Sequence, residues 1–260
     1  MPALQPEQIY ERTREEGRRR LGRPLLQLAA TGLVGGFDVA FGVAAYALTA
    51  ASLAPRAGED VAHLGGAVAF GAIAFVFVVV GRSELFTENF LVPITGLSRD
   101  RGSWYKLGEL WVLTLVMNLA GGSVLGVILT SHGVLRTGAA DELSGLANHV
   151  DDYPTLTSFL SAIAAGGLMT LMTWFVEGAA DSMGLRVVMA WLVGALIVLG
   201  SFNHAIVSTI EFVFAMRYGG PISWSGLFRN LGLSVGGNLV GGLLLVTFVR
   251  SAQAFGVSRA

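Results

Sequence analysis

Two polar clusters interrupt long apolar runs in this chain, and chemistry, if there is any, belongs to them. The first reads Gly81-Arg82-Ser83-Glu84-Leu85-Phe86-Thr87-Glu88-Asn89 and the second Gly200-Ser201-Phe202-Asn203-His204; Glu84 and His204 lie 120 positions apart. Ionisable side chains inside an apolar span are costly and mark functional paths. His204 brings an imidazole, the side chain that changes charge near neutral pH. Thr87 brings a hydroxyl, and together they offer hydrogen bonds to a small acid or its anion. Leu85 and Phe86 are bulky neighbours of that polar centre, suited to a constriction that a hydrated ion crosses only by losing water. Arg82 is expected to pair with Glu84 or Glu88, because buried charges need partners, and the trio then pins an unwound segment.

The elements that position these residues read as membrane spans. Of the 260 residues 53% are hydrophobic and only 13% charged, about half the charge of a soluble domain, and mean hydropathy is +0.64. Six spans of roughly 20 or more apolar residues fit the chain: about 25–53, 62–97, 105–131, 156–178, 185–216 and 224–250. The second and fifth contain the clusters, and each reads as two shorter helices around a break. Unwound backbone survives at membrane depth only when buried in protein or lining a cavity.

The same offset recurs outside the breaks. Ser103-Trp104 matches Ser223-Trp224, Asn118-Leu119 matches Asn238-Leu239, and Gly121-Gly122 matches Gly241-Gly242. Three spans per half require the second half to enter the membrane from the opposite side. The fold class is therefore all-α integral membrane, six transmembrane helices as a 3+3 inverted repeat, with both breaks brought to one central point. Asn118 and Asn238 are expected to make interhelical hydrogen bonds rather than to touch solute. Asp38, inside the first span, has no evident partner.

Three regions follow: residues 1–24, a basic helix; 25–250, the membrane domain, with repeats over about 25–131 and 156–250; and 251–260, a tail. Residues 5–21 form a charged helix with a thin apolar stripe, read as a solvated anchor that fixes topology or as a segment at a pore mouth. Arg12, Arg14, Arg18, Arg19, Arg20 and Arg23, then Arg99, Arg101 and Lys106, then Arg186, Arg250 and Arg259 fall on one side. Both termini are thus expected in the cytoplasm, with the chain in the plasma membrane. Arg217 and Arg229 oppose the rule. The net charge of −1 gives no basic field for nucleic acid. Cysteine is absent, and no metal, phosphate-loop or nucleophile-elbow motif points to a cofactor or an enzyme.

The run ending Glu84-Leu85-Phe86-Thr87 resembles the first-break signature of the formate/nitrite transporter family. Phe202-Asn203-His204 is similar to its second-break motif, and the two Asn-Leu-x-Gly-Gly stretches to its third and sixth helices. The resemblance covers about residues 25–250. It implies an aquaporin-like protomer in a homopentamer, with one pore per protomer for small monovalent anions or their acids. Thr87 and His204 would be the central pair, Leu85 and Phe86 part of a constriction. Two departures stand out. Asn203 occupies a position where that family often has Glu. The stretch Asp151-Asp152-Tyr153-Pro154-Thr155 has no lysine where the family often places one near the fourth span, a role that Arg82 is a candidate to fill. An aquaporin-like pore for neutral solutes is the first rival, although paired Asn-Pro-Ala motifs are absent. A membrane scaffold that keeps the fold without conduction is the second.

Overall fold

The computed structural model describes residues 4–98, 100–136, 138–179 and 182–256. The expectations for Arg99, Arg259 and the end of the tail lie outside these. The described residues form helices and connecting turns, without strands. α1 (Pro6–Leu21) is followed by α2 (Leu25–Ala57) and α3 (Glu59–Gly81), then a 3-10 turn (Phe86–Glu88) and the short α4 (Val92–Thr95). α5 (Arg101–Leu129), α6 (Ala139–Asp151) and α7 (Thr155–Gly178) come next. The chain ends with α8 (Met183–Leu199), α9 (Ala205–Arg217), α10 (Trp224–Val240), a π-helical stretch (Gly241–Phe248) and α11 (Val249–Gly256). Among the described residues five helices are long and apolar enough to cross a membrane. α6 falls where sequence patterning suggests only a loop.

Helix packing repeats itself between the halves. α5 lies on α2, and α10 with its π-helical extension lies on α7. Each approach is close enough that only glycine fits. A methyl group at Gly121 would fall 2.1 Å from the Leu33 carbonyl oxygen, and one at Gly241 1.9 Å from that of Ile163. Small residues that let backbones touch are the usual means of holding helices together in lipid, where burial of apolar surface gives no net drive.

α3 and α8 pack against each other and run in opposite senses. α3 ends at Arg82, in a cavity shared with Arg186 near the start of α8. α8 ends near Ser201, in a cavity shared with Glu59 and His63 near the start of α3; His63 Nε2 lies 3.2 Å from the Leu199 carbonyl. Both helices stop in the left-handed region, Arg82 at φ 55° and Ser201 at φ 46°. Such a turn breaks the helical hydrogen-bond ladder and redirects the chain. The molecule therefore has two mouths: a basic one, where Arg19, Arg20, Arg23, Arg82 and Arg186 face Glu16, Glu84, Glu88 and Glu177, and an acidic one, where Glu59, Asp60, Asp141 and Glu142 lie with His63 and His149.

Candidate functional site at the meeting of two helix breaks

From each mouth the chain leaves its α-helix and runs inward, and the two segments meet at Thr87, in the 3-10 turn, and His204, at the cap of α9. Thr87 Oγ1 lies 2.8 Å from His204 Nε2, and neither residue exposes surface to solvent. His204 caps α9: its Nδ1 accepts the backbone N–H groups of Val207 at 3.1 Å and Ile206 at 3.3 Å. A nitrogen that accepts cannot carry the ring proton, so these bonds assign the Nε2–H tautomer. Nε2–H then donates to Thr87 Oγ1, which leaves the threonine hydroxyl proton free to point elsewhere. The cap also places the positive end of the α9 dipole beside this centre.

Apolar side chains enclose the pair. The Phe75 ring sits 6.0 Å from the His204 ring, and Phe86 and Phe90 pack edge to face at 5.0 Å. Leu85 and Phe86 are buried in the same cluster as Phe75, Ile206 and Val207. Phe202 is directed elsewhere, into a groove lined by Leu171, Leu196 and Leu245, so the structure does not bring it to the centre.

Two asparagines hold the breaks by the same device. Asn118 Nδ2 donates to the carbonyls of Gly32 (2.7 Å) and Glu84 (2.8 Å), while its Oδ1 accepts from the Phe86 N–H (2.8 Å). Asn238 Nδ2 donates to the carbonyls of Ala162 (2.7 Å) and Asn203 (3.1 Å), and its Oδ1 accepts from the Ala205 N–H (2.9 Å). Two backbone groups stranded by each break thus find partners, which a buried break requires, and the third bond ties the break to a carbonyl of the neighbouring helix, Gly32 in α2 or Ala162 in α7. These bonds equate Glu84 with Asn203 and Leu85 with His204. The constant offset of 120 that equates Glu84 with His204 slips by one residue at the break, because extended backbone does not follow the helical register.

The residues around the two clamps differ. Asn203 donates from Nδ2 to Ser158 Oγ (2.8 Å) and Asn230 Oδ1 (2.7 Å), a neutral set. Glu84 is 1% exposed and meets two cations: Arg20 Nε at 3.1 Å and Arg23 Nη1 at 2.8 Å, both on Oε1. Arg20 also donates to Asn89 Oδ1 (3.0 Å) and pairs with Glu16 (3.1 Å). Burial works against the charge of Arg20, yet Glu84 and Glu16 outweigh it and raise its pKa above the usual arginine value. Glu16 is pushed up by burial, but its bond to Arg19 and the charge of Arg20 hold it below the usual value.

The expected pairing of Arg82 with the cluster's glutamates is therefore replaced by one with α1. Arg82 is exposed at the rim of the basic cavity and makes no ion pair among the described residues. Its left-handed backbone, forced by the helix end, turns the side chain out, while Glu88 Oε2 turns in and accepts the Leu85 N–H (3.1 Å). Arg82 lines the same cavity as Glu177, at the end of α7. The start of α7, where the lysine is absent, is a helix length of about 36 Å away. Asp38, without a partner in sequence, accepts the Ser83 hydroxyl at 2.6 Å. Sequence reasoning passed over Arg20 and Arg23 as functional groups, because the rule that places arginines at a cytoplasmic end accounts for them without any partner.

α1 reaches Glu84 because it lies directly on the chain that follows the break. A methyl at Gly17 would fall 2.0 Å from the Val92 carbonyl oxygen, and one at Gly96 2.6 Å from the Arg18 nitrogen. The helix read as a solvated anchor or as a segment at a pore mouth thus packs one face, with Thr13, Gly17 and Leu21, against the protein, while Arg14, Arg18 and Arg19 stay exposed.

With this geometry in place, comparison with known proteins decides the family. The formate/nitrite transporter model matches residues 7–252. The chain belongs to the formate/nitrite transporter family. Relatives include the uncharacterized transporter YrhG of Bacillus subtilis, 26% identical with 96% of this chain and 93% of that one covered. The formate channel BtFdhC of Bacillus thuringiensis is 25% identical, covering 94% and 93%. Among solved structures, a pentameric formate channel with formate bound superposes with a TM-score of 0.73 at 20% identity, over 86% of this chain and 95% of that one. An FNT family ion channel superposes at 0.76 and 16% identity, over 97% and 99%. The fold is that of these channels, and this transporter-family chain is an integral membrane protein rather than an enzyme.

Proposed function

We propose that this member of the formate/nitrite transporter family passes small monovalent anions or their conjugate acids, formate or nitrite among them, through a pore centred on Thr87 and His204. The supporting observation is the 2.8 Å contact between Thr87 Oγ1 and His204 Nε2, made by two segments that enter from opposite mouths. Nε2–H and the threonine hydroxyl are both donors, the polarity an anion needs. Leu85, Phe86 and Phe75 surround them with apolar surface, so a solute must shed water on the way and recover hydrogen bonds at the centre.

On this reading six spans are arranged as a 3+3 inverted repeat, the second and fifth broken, and the protomer works in a homopentamer as the named channel structure does. The basic mouth faces the cytoplasm, with both termini, and the acidic mouth faces outward across the plasma membrane. Formate uptake into proteoliposomes carrying an internal pH dye tests the proposal, with nitrite, acetate and chloride for comparison. The expected result is rapid formate or nitrite flux that His204→Asn loses. Undiminished flux in that variant would remove His204 from the pathway. Absence of flux for all four ions in the wild type would overturn the anion reading.

A further inference from the structure

The basic mouth contains a carboxylate seated on two arginines, inside a cavity of about 210 Å³. Arg23 is 7% exposed, lines that cavity, and has Nε and Nη1 without an aligned hydrogen bond. The one polar contact described for its side chain is the ion pair with Glu84 Oε1. Glu84 Oε2 has no hydrogen-bond partner among the described residues. A guanidinium fork is built to take a carboxylate through two parallel N–H groups, and here it is offered only one oxygen, at an angle. Arg20 is differently placed, already committed to Asn89 and Glu16.

We propose that Arg23, with Arg20 beside it, forms an anion site at the basic mouth for a small monovalent carboxylate, and that Glu84 occupies it as a tethered competitor. The proposal rests on the reading of the chain as a small-anion pore. Formate and the Glu84 side chain share the same headgroup, so Glu84 itself demonstrates that the site accepts a carboxylate. A tethered group competes at high effective concentration. A free anion must displace it, and a site its own carboxylate vacates one part in ten binds about tenfold more weakly than an open one. Displaced from Arg23, Glu84 keeps Arg20 as a counter-ion, so exchange leaves no buried charge alone.

The test reads binding rather than transport. Thermal unfolding of the full chain in detergent is followed against sodium formate, with sodium sulfate at matched ionic strength. Ligand that binds the folded state raises the Tm in proportion to its affinity. Glu84→Gln should lower the half-saturating formate concentration about tenfold, and Glu84→Gln with Arg23→Gln should abolish that gain. Glu84→Asp, which withdraws the carboxylate by one methylene while keeping the charge, should show a smaller gain and serves if the amide variant does not fold. Unchanged half-saturation in both single variants, or a gain that survives loss of Arg23, would overturn the proposal. Flux of the wild type in liposomes is a separate readout: formate uptake with no gain in the Glu84 variants leaves the pore reading standing and removes only the mouth site.

Discussion

The two breaks share a backbone solution and differ in charge. Asn118 and Asn238 each satisfy two carbonyls and one N–H with bonds of 2.7–3.1 Å. Next to the first, the corresponding side chain is Glu84, held by Arg20 of α1 and Arg23 just after it. Next to the second it is Asn203, held by Ser158 of α7 and Asn230 of α10. The clamp is thus a requirement of the fold, since unwound backbone in lipid must be paired. The charge is a local feature of one mouth, and it makes that mouth depend on α1.

The largest effect should come from the shared part. Asn118→Ala and Asn238→Ala each orphan two buried backbone groups of the break, at about 1–3 kcal/mol per group. Both variants should therefore lose several kcal/mol of stability, by similar amounts, in unfolding followed by circular dichroism. If one loses far more than the other, the halves are not equivalent and the comparison fails at its base.

The side chains beside the clamps should then separate the halves. Removing one partner of a buried ion pair costs about 3–5 kcal/mol, because the remaining charge is stranded. Arg20→Gln should fall near the lower end, since Arg23 still faces Glu84, and should make α1 accessible to trypsin at Arg12 and Arg14. Asn230→Ala removes one neutral hydrogen bond and should cost about 1–2 kcal/mol, with α1 still protected. Equal costs would mean that solvent reaches Glu84 and that its charge is not buried in effect.

These contrasts also show what could be read in the residues alone. The polar clusters and the recurring Asn-Leu-x-Gly-Gly motifs were legible because each leaves a local mark, such as a polar cluster in an apolar run or a rare residue at a fixed offset, whereas the pairing of Thr87 with His204 came from the family resemblance. The partner of Glu84 was not legible. Arg20 and Arg23 are more than 60 positions away, and their clustering already suits a topology signal. α6 was missed because a short amphipathic helix has few apolar residues to mark it; its buried face includes Leu143, Leu146, Ala147 and Val150. The one-residue slip that aligns His204 with Leu85 is a property of extended backbone, which fixed offsets do not capture.

The smallest expected effect is one of sign, and it distinguishes the mouths through acid. Glu16 in α1 has its pKa held below the unfolded value of 4.5 by Arg19 and Arg20, against the upward push of burial. Its contribution is fully present above pH 4.5 and is lost as pH falls through the lower folded value, when the carboxylate is protonated and releases Arg20. Glu142 in α6, at the acidic mouth, is shifted the other way: burial, then the charges of Glu59 and Asp141, raise it above 4.5. A raised carboxyl favours the folded state while protonated, so that contribution is lost as pH rises from the unfolded value through the folded one. Acidification from pH 6 to pH 4 should therefore weaken the docking of α1 and tighten that of α6. Hydrogen-exchange protection factors, corrected for intrinsic rates, should fall in α1 and rise in α6 over that interval. Movement of both in the same direction would show that acid acts on the whole bundle rather than on the charges particular to each mouth. In Arg20→Gln the response of α1 should be blunted and that of α6 unchanged, since only the basic mouth has lost its partner.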